Sequence, residues 1–136
     1  MRITDLYRIY KKSPIICTDT RKIKKGSIFF ALRGDHFNGN SFAKKAIEKG
    51  CCIAIIDEKE YCINNKFILV KNVLKTLQNL AKHHRKNLQI PIIGITGTNG
   101  KTTSKELIYS ILSSKLSCYA TKGNLNNHIG VPLSIL

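Results

Sequence analysis

Glycines, threonines and a lysine crowd the stretch GITGTNGKTTSKEL, residues 94–107, between the apolar run IPIIGI and a helix-like pattern. A strand that enters a glycine-rich turn and leaves it as a helix aims several backbone N–H groups, plus the helix dipole, at one anion. Gly97 and Gly100 free the backbone to take positive φ and to approach phosphate oxygens closely. Lys101, in the first helical turn, can bend back to neutralise β- and γ-phosphate charge, and the Thr102 hydroxyl is placed to ligate magnesium. The chemistry indicated is phosphoryl transfer from a nucleoside triphosphate, with Lys101 as its catalytic cation. The general pattern G-x-x-x-x-G-K-[ST] asks for glycine at position 95, where this chain has Ile95 and carries Gly94 one place early. Such a site also takes a carboxylate from another strand, yet beyond Gly100 the one acidic residue is Glu106, on the following helix.

The pattern on either side predicts the elements that hold this loop. Before it, IPIIGI reads as a buried strand; after it, residues 101–115 read as a helix with Leu107, Ile108, Ile111 and Leu112 on one face, and CYAT as a returning strand. Upstream, IIC at 15–17 and SIFFAL at 27–32 read as strands separated by a basic turn. A short helix follows, with Asn40 or Ser41 as candidate N-cap and Gly50 as its stop. CCIAIID and FILV are two further strand-length apolar runs. Asn72 caps a longer helix whose apolar residues Val73, Leu74, Leu77, Leu80, Ala81 and Leu88 follow a 3.6-residue period. His83, His84 and Arg85 near its end read as solvated cations that offset the helix dipole rather than as metal ligands. The expected architecture is α/β: a small domain over residues 1–86, then, over residues 87–136, the first β-loop-α-β unit of a phosphate-loop ATP-binding domain. The chain stops in an apolar pattern just begun, before the β-α units that would cover that sheet, so the expectation is the N-terminal part of a longer enzyme.

Composition bounds the partners. A net charge of +15 invites a nucleic-acid reading, but the bases are mostly Lys, spread along the whole chain, with no arginine-rich or aromatic-interleaved segment. Nucleic acid is therefore not expected as the main partner; attraction of anionic small substrates is the milder consequence. Five cysteines show neither C-x-x-C pairs nor zinc spacing. Cys51 and Cys52, adjacent in an apolar run, should face opposite ways as buried free thiols, which suits a reducing cytosol. The N-terminus lacks an apolar targeting core and no apolar run approaches a membrane span. A cytoplasmic protein without membrane insertion is expected.

TGTNGKTT, residues 96–103, resembles the ATP loop of the Mur ligase family, which departs from the general pattern in the way noted. The stretch TDTRKIKKGSIFFALRGDHFNGNSFAKKAIEKG, residues 18–50, resembles the uridine-nucleotide-binding N-terminal domain of that family, and TKGNLNNHIGVPLSIL, residues 121–136, resembles the segment after its ATP loop in the branch that uses D-alanyl-D-alanine. The resemblance implies ATP and Mg2+ bound by Thr96, Gly97, Thr98, Asn99, Gly100, Lys101, Thr102 and Thr103, with Thr102 on the metal. It implies that Thr18, Asp19, Thr20 and Arg21 meet the UDP part of a UDP-N-acetylmuramoyl-tripeptide, although Asp19 and Arg21 also fit a structural turn and ion pair. Gly34, Asn38 and Gly39 shape the uridine pocket or a tight turn. Asn124, Asn126, Asn127 and His128 are donors for a sugar or phosphate, though Asn runs also make turns. Many relatives carry Ser where this chain has Cys17. The implied reaction is peptide ligation: ATP phosphorylates the tripeptide carboxylate, and the amine of D-alanyl-D-alanine attacks the acyl phosphate. Another Mur-type or folylpolyglutamate-type ligase, or a nucleotide- or nucleic-acid-binding module without ligase chemistry, are the alternatives.

Overall fold

The computed structural model describes residues 1–121, 123 and 125–136. Helix α1, Ile3–Lys12, is set by apolar residues at helical spacing: Leu6 and Tyr10, one turn apart, are buried, while Asp5 lies in its first turn and Lys11 and Lys12 in its last. Four short strands follow in one parallel sheet of order β1-β2-β5-β6: β1 Ile16–Cys17, β2 Ile28–Phe30, β5 Ile53–Ile56 and β6 Phe67–Leu69. The register pairs Cys17 with Phe29, Phe29 with Ala54, and Ala54 with Phe67.

Every residue of β2 is buried because both faces of the sheet are covered, as parallel sheets require. Alternate side chains go to opposite sides. Ile28, Phe30 and Ile55 join Leu6 and Tyr10 of α1 and Val73, Leu77 and Leu80 of α3, Val73–Asn87. Phe29, Ala31, Ala54, Ile56 and Phe67 join Ala43 and Ala46 of α2, Ala43–Glu48. Cys51 falls in the second cluster while Cys52 packs against the first, the opposite orientations expected of adjacent extended residues, but Cys51 alone is buried and Cys52 is half-buried at the edge of its cluster. Burial pushes the Cys51 thiol pKa up, which keeps it a protonated packing group beside the Ser27 hydroxyl.

Between β2 and α2 the chain makes a hairpin, β3 Arg33–Gly34 against β4 Phe37–Asn38, closed by Asp35 and His36. A 3-10 turn, Gly39–Phe42, then leads into α2, and its cap is Asn38, whose side chain accepts from Asn40 N, rather than Asn40 or Ser41. The cap moved upstream because Asn40 is wholly buried and occupied elsewhere. Asn72 caps α3 as the sequence predicts, accepting from Lys75 N at 2.7 Å. The end of α3 is not simply solvated: His84 Nδ1 lies 3.2 Å from the Tyr7 hydroxyl, and the His83 ring meets Tyr7 edge-on. Burial, with Lys11 nearby, lowers the His84 pKa. Tertiary packing of α1 on α3 thus overrides the expected role of His84 as a helix-end cation.

Helix α4, Lys101–Ser113, follows the glycine-rich loop, and α5, Gly130–Ile135, closes the described chain. The flanks of α4 differ from expectation. Residues 90–95 and 118–121 are not strands, and Ile92 and Ile93 are 48% and 59% exposed. An apolar run becomes a strand only where a neighbour takes up its N–H and C=O groups, and no described strand lies beside either segment. For the same reason Leu107 and Ile111 of α4 are exposed, although the helix itself forms where the periodicity places it.

Candidate functional site

The glycine-rich loop is pinned by backbone conformation. Gly100 takes φ +75° as the residue immediately before α4, and Gly97 takes φ +148°, both regions that L side chains rarely adopt. A Cβ at Gly100 would meet nothing within 4 Å, so glycine is required there by the dihedral and not by crowding. No side chain caps α4. The N–H groups of its first turn, supplied by Lys101, Thr102 and Thr103, therefore remain available to an anion, and the positive end of the helix dipole lies with them.

Lys101 folds back across the loop. Its ammonium donates to the Gly97 carbonyl and, at 3.1 Å, to the Thr98 carbonyl. Its charge is thus held over the turn formed by Thr96, Gly97, Thr98, Asn99 and Gly100. These features fit a nucleotide's phosphate chain. The fit to magnesium is narrower: Thr102 sits in the first turn of α4, but Glu106 is paired with Lys105 at 2.9 Å, and among the described residues no group of three or more His, Cys, Asp or Glu could hold a metal.

A second group of candidates gathers at the carboxyl ends of the parallel strands, the edge where open α/β sheets bind ligands. Thr18, Asp19, Thr20 and Arg21 leave the end of β1. The Cys17 thiol donates to the Asp19 carbonyl at 3.1 Å and so helps close the turn. Arg21 donates to Asp19 from its backbone N–H, Nε and Nη2, at 2.8 to 3.1 Å. Those hydrogen bonds hold the Asp19 carboxyl at about 2, well below the usual carboxylate range, and raise the Arg21 pKa. The turn-and-ion-pair reading is thus realised in this state, while the Arg21 side chain remains 86% exposed. Lys49 donates to the Thr20 carbonyl at 2.8 Å and ties this turn to the end of α2.

Gly34, Asn38 and Gly39 lie on or beside the hairpin that leaves β2 at the same edge. Gly39 is a close-approach residue: a Cβ there would fall 2.2 Å from the Leu32 carbonyl oxygen. Asn38 is engaged on both sides, accepting from Asn40 and donating to Glu58. Asp57 and Glu58, which the sequence reading did not single out, complete this network together with Asn40, read there only as a candidate cap. Their pairing with the hairpin is long-range, and no local spacing signals it.

Asn124 lies outside the described residues. Asn126 is exposed. Asn127 Oδ1 accepts from Ile129 N at 3.0 Å and Gly130 N at 2.7 Å, so it shapes the entry to α5 and leaves its amide NH2 for other partners. The His128 carbonyl accepts from Gln78 of α3 at 3.1 Å. Beyond it Ile129, Leu133 and Leu136 pack against the α1/α3 side of the core, and the Tyr10 hydroxyl donates to the Leu136 carbonyl at 2.5 Å. The structure thus brings the 126–128 turn onto the first sheet's covering helix. It draws no hydrogen bond between residues 96–103 and the strand-end cluster.

Two protein-family models match the chain: the Mur ligase family catalytic domain over residues 14–96 and the Mur ligase middle domain over residues 95–136. The chain is 41% identical over 123 residues to a UDP-N-acetylmuramoyl-tripeptide–D-alanyl-D-alanine ligase of Bacillus subtilis, covering 89% of this chain and 27% of that protein. The same-named ligase of Borreliella burgdorferi is 45% identical over 131 residues, 87% of this chain and 28% of the relative. Among solved structures, the MurF ligase of Thermotoga maritima in complex with ADP superposes with a TM-score of 0.80 at 33% identity, covering 89% of this chain and 28% of that one. MurF of Acinetobacter baumannii gives a TM-score of 0.78 at 35% identity, covering 90% and 27%. The chain spans little more than a quarter of the length of these relatives.

Proposed function

The chain belongs to the Mur ligase family, and from that premise we propose that it supplies the N-terminal part of an ATP-dependent ligase that joins D-alanyl-D-alanine to UDP-N-acetylmuramoyl-tripeptide, in the cytoplasm, for peptidoglycan precursor synthesis. Residues 1–86 form the module for the UDP-linked substrate. Residues 87–136 begin the ATP-binding domain, with residues 96–103 as its phosphate loop. The observation that carries the reading is the loop itself: two glycines at positive φ, an uncapped helix start and an ammonium group folded over the turn.

The chemistry asks for such a loop. A carboxylate is a poor electrophile with no usable leaving group. Transfer of the γ-phosphoryl group from ATP to a carboxylate oxygen, with release of ADP, gives an acyl phosphate. The dipeptide amine then attacks its carbonyl carbon and loses a proton, while inorganic phosphate departs with the C–O bonding pair. Charge on the transferring phosphoryl oxygens must be neutralised in the transition state. The loop N–H groups and Lys101 do this from one side, and magnesium, held in part by Thr102, would add further neutralisation when bound. Thr18, Asp19, Thr20 and Arg21, with the hairpin carrying Gly34 and Asn38 and the neck residue Gly39, receive the UDP end. Asn126, Asn127 and His128 serve the sugar or phosphate side.

Isothermal titration of the chain with UDP-muramoyl peptides of different length tests the reading. Preference for the tripeptide form supports it. Preference for the dipeptide form, or binding of nucleic acid with a steep salt slope and no response to UDP-sugars, would replace it by another ligase or by a binding module. Phosphate release from this chain alone, with all three substrates present, is expected to stay at background.

A further inference from the structure

At the carboxyl edge of the sheet, two consecutive acidic residues grip both strands of the hairpin. Asp57 directly follows β5, whose last three residues are fully buried, so its backbone position is set by the core. Its Oδ1 accepts from Arg33 Nε at 3.1 Å and Asn40 Nδ2 at 2.9 Å, its Oδ2 from Val73 N at 3.3 Å, and its own N–H donates to Asn40 Oδ1 at 3.0 Å. Glu58 accepts from the Arg33 guanidinium and from Asn38 Nδ2 at 3.0 and 3.2 Å. Asn40, 0% exposed, closes the network by donating to Asn38 Oδ1 at 2.9 Å. Arg33 belongs to β3 and Asn38 to β4, so each strand of the hairpin is bonded to this carboxylate pair.

The two-pair ladder of the hairpin fixes its own shape but not its height or tilt over the strand ends. The carboxylate network fixes those. Charge-assisted hydrogen bonds in a part-buried setting are directional and stronger than neutral ones. Asn38 spends its amide on Glu58, and Arg33 spends Nε and Nη2 on the two carboxylates, so both side chains are oriented by this network.

We infer that Asp57 and Glu58 are positioning residues for the UDP-linked substrate: through Arg33, Asn38 and Asn40 they hold the β3–β4 hairpin in the pose that receives the nucleotide at the strand ends. This rests on the reading of residues 1–86 as the UDP-substrate module. The carboxylates act through the hairpin and do not themselves meet the anionic ligand.

The test is calorimetric titration of UDP-N-acetylmuramoyl-tripeptide into the wild-type chain, Glu58→Gln, Arg33→Ala and the Arg33→Ala/Glu58→Gln double variant, with each thermal midpoint recorded. Glu58→Gln should weaken binding roughly tenfold, the loss of one charge-assisted bond, with its midpoint within a few degrees of wild type. The double variant should lose less affinity than the two singles summed, since they share the Arg33–Glu58 pair. In the complete enzyme Glu58→Gln should raise the KM for the UDP substrate and leave the KM for ATP unchanged, a split that general loosening of the fold would not give. Should Arg33→Ala fail to fold, Glu58→Gln still decides. Wild-type binding with undiminished affinity in Glu58→Gln overturns the inference and leaves the UDP reading intact. No wild-type binding overturns the UDP reading itself, and the inference with it.

Discussion

Gly39→Ala is the sharpest single test of the hairpin neck. The added Cβ would lie 2.2 Å from the Leu32 carbonyl oxygen, 2.6 Å from the Ala31 carbonyl carbon and 2.8 Å from Leu32 N, all backbone atoms just beyond the end of β2. No side chain can swing away to relieve the clash. Gly39 N also donates to the Leu32 carbonyl at 3.0 Å, so a shift large enough to seat the methyl would break that bond. Overpacking against backbone with loss of a hydrogen bond costs roughly 3 kcal/mol or more. For a chain of this size that corresponds to a fall in Tm of roughly 10 °C. Gly34→Ala is the matched control on the same hairpin: its Cβ would touch only Phe37 Cβ at 4.0 Å, so a change within about 0.5 kcal/mol is expected. Thermal unfolding followed by far-UV circular dichroism measures both. A Gly39→Ala midpoint within about 2 °C of wild type, roughly a 0.5 kcal/mol effect, would refute the close-approach argument.

Other substitutions probe other elements. Asn72→Ala removes the acceptor for Lys75 N and should lower stability by about 1 kcal/mol; an unchanged urea midpoint would contradict the capping role. Because burial and Lys11 lower the folded His84 pKa below its ordinary 6.5, the unfolded chain binds the extra proton: the His84 contribution to stability is complete above about pH 6.5 and declines as pH falls below it. Tm measured from pH 8 to 5 should therefore drop more steeply in wild type than in His84→Gln, and parallel curves would refute the linkage. Leu133→Ala strips a side chain that packs against the α1/α3 cluster and should cost about 2 kcal/mol. It should also speed amide exchange at Val131 and Leu133, and unaltered exchange would show that α5 is not anchored there.

What was legible in the sequence was local. The Asn72 cap, the 3.6-residue stripe of α3, the opposed Cys51 and Cys52 and the glycine turn before α4 all rest on spacing within a few residues. The Asn38 cap lies two or three residues upstream of its expected place because Asn40 is drawn into the core by Asp57, 17 residues away. The same distance hides the carboxylate grip on the hairpin. His84 reads as a helix-end cation until α1, 77 residues away at Tyr7, is packed against it. Residues 90–95 show the limit of periodicity: apolar content predicts burial, but strand formation depends on a neighbour that an apolar run does not specify. For the site, the glycine turn and the helix after it follow from local spacing, whereas Asn127 changed character, since its Oδ1 is spent on the entry to α5.

The claim on which the functional account stands is that residues 96–103 cradle the phosphate chain of ATP, with Lys101 supplying the cation. Lys101→Met in the complete enzyme tests it directly, by ATP affinity and by the rate of ligation under saturating substrates. The account predicts weaker ATP binding and a ligation rate lowered by roughly 10²–10³-fold, the effect of removing one group that stabilises transition-state charge. Wild-type affinity and wild-type ligation in that variant would contradict it.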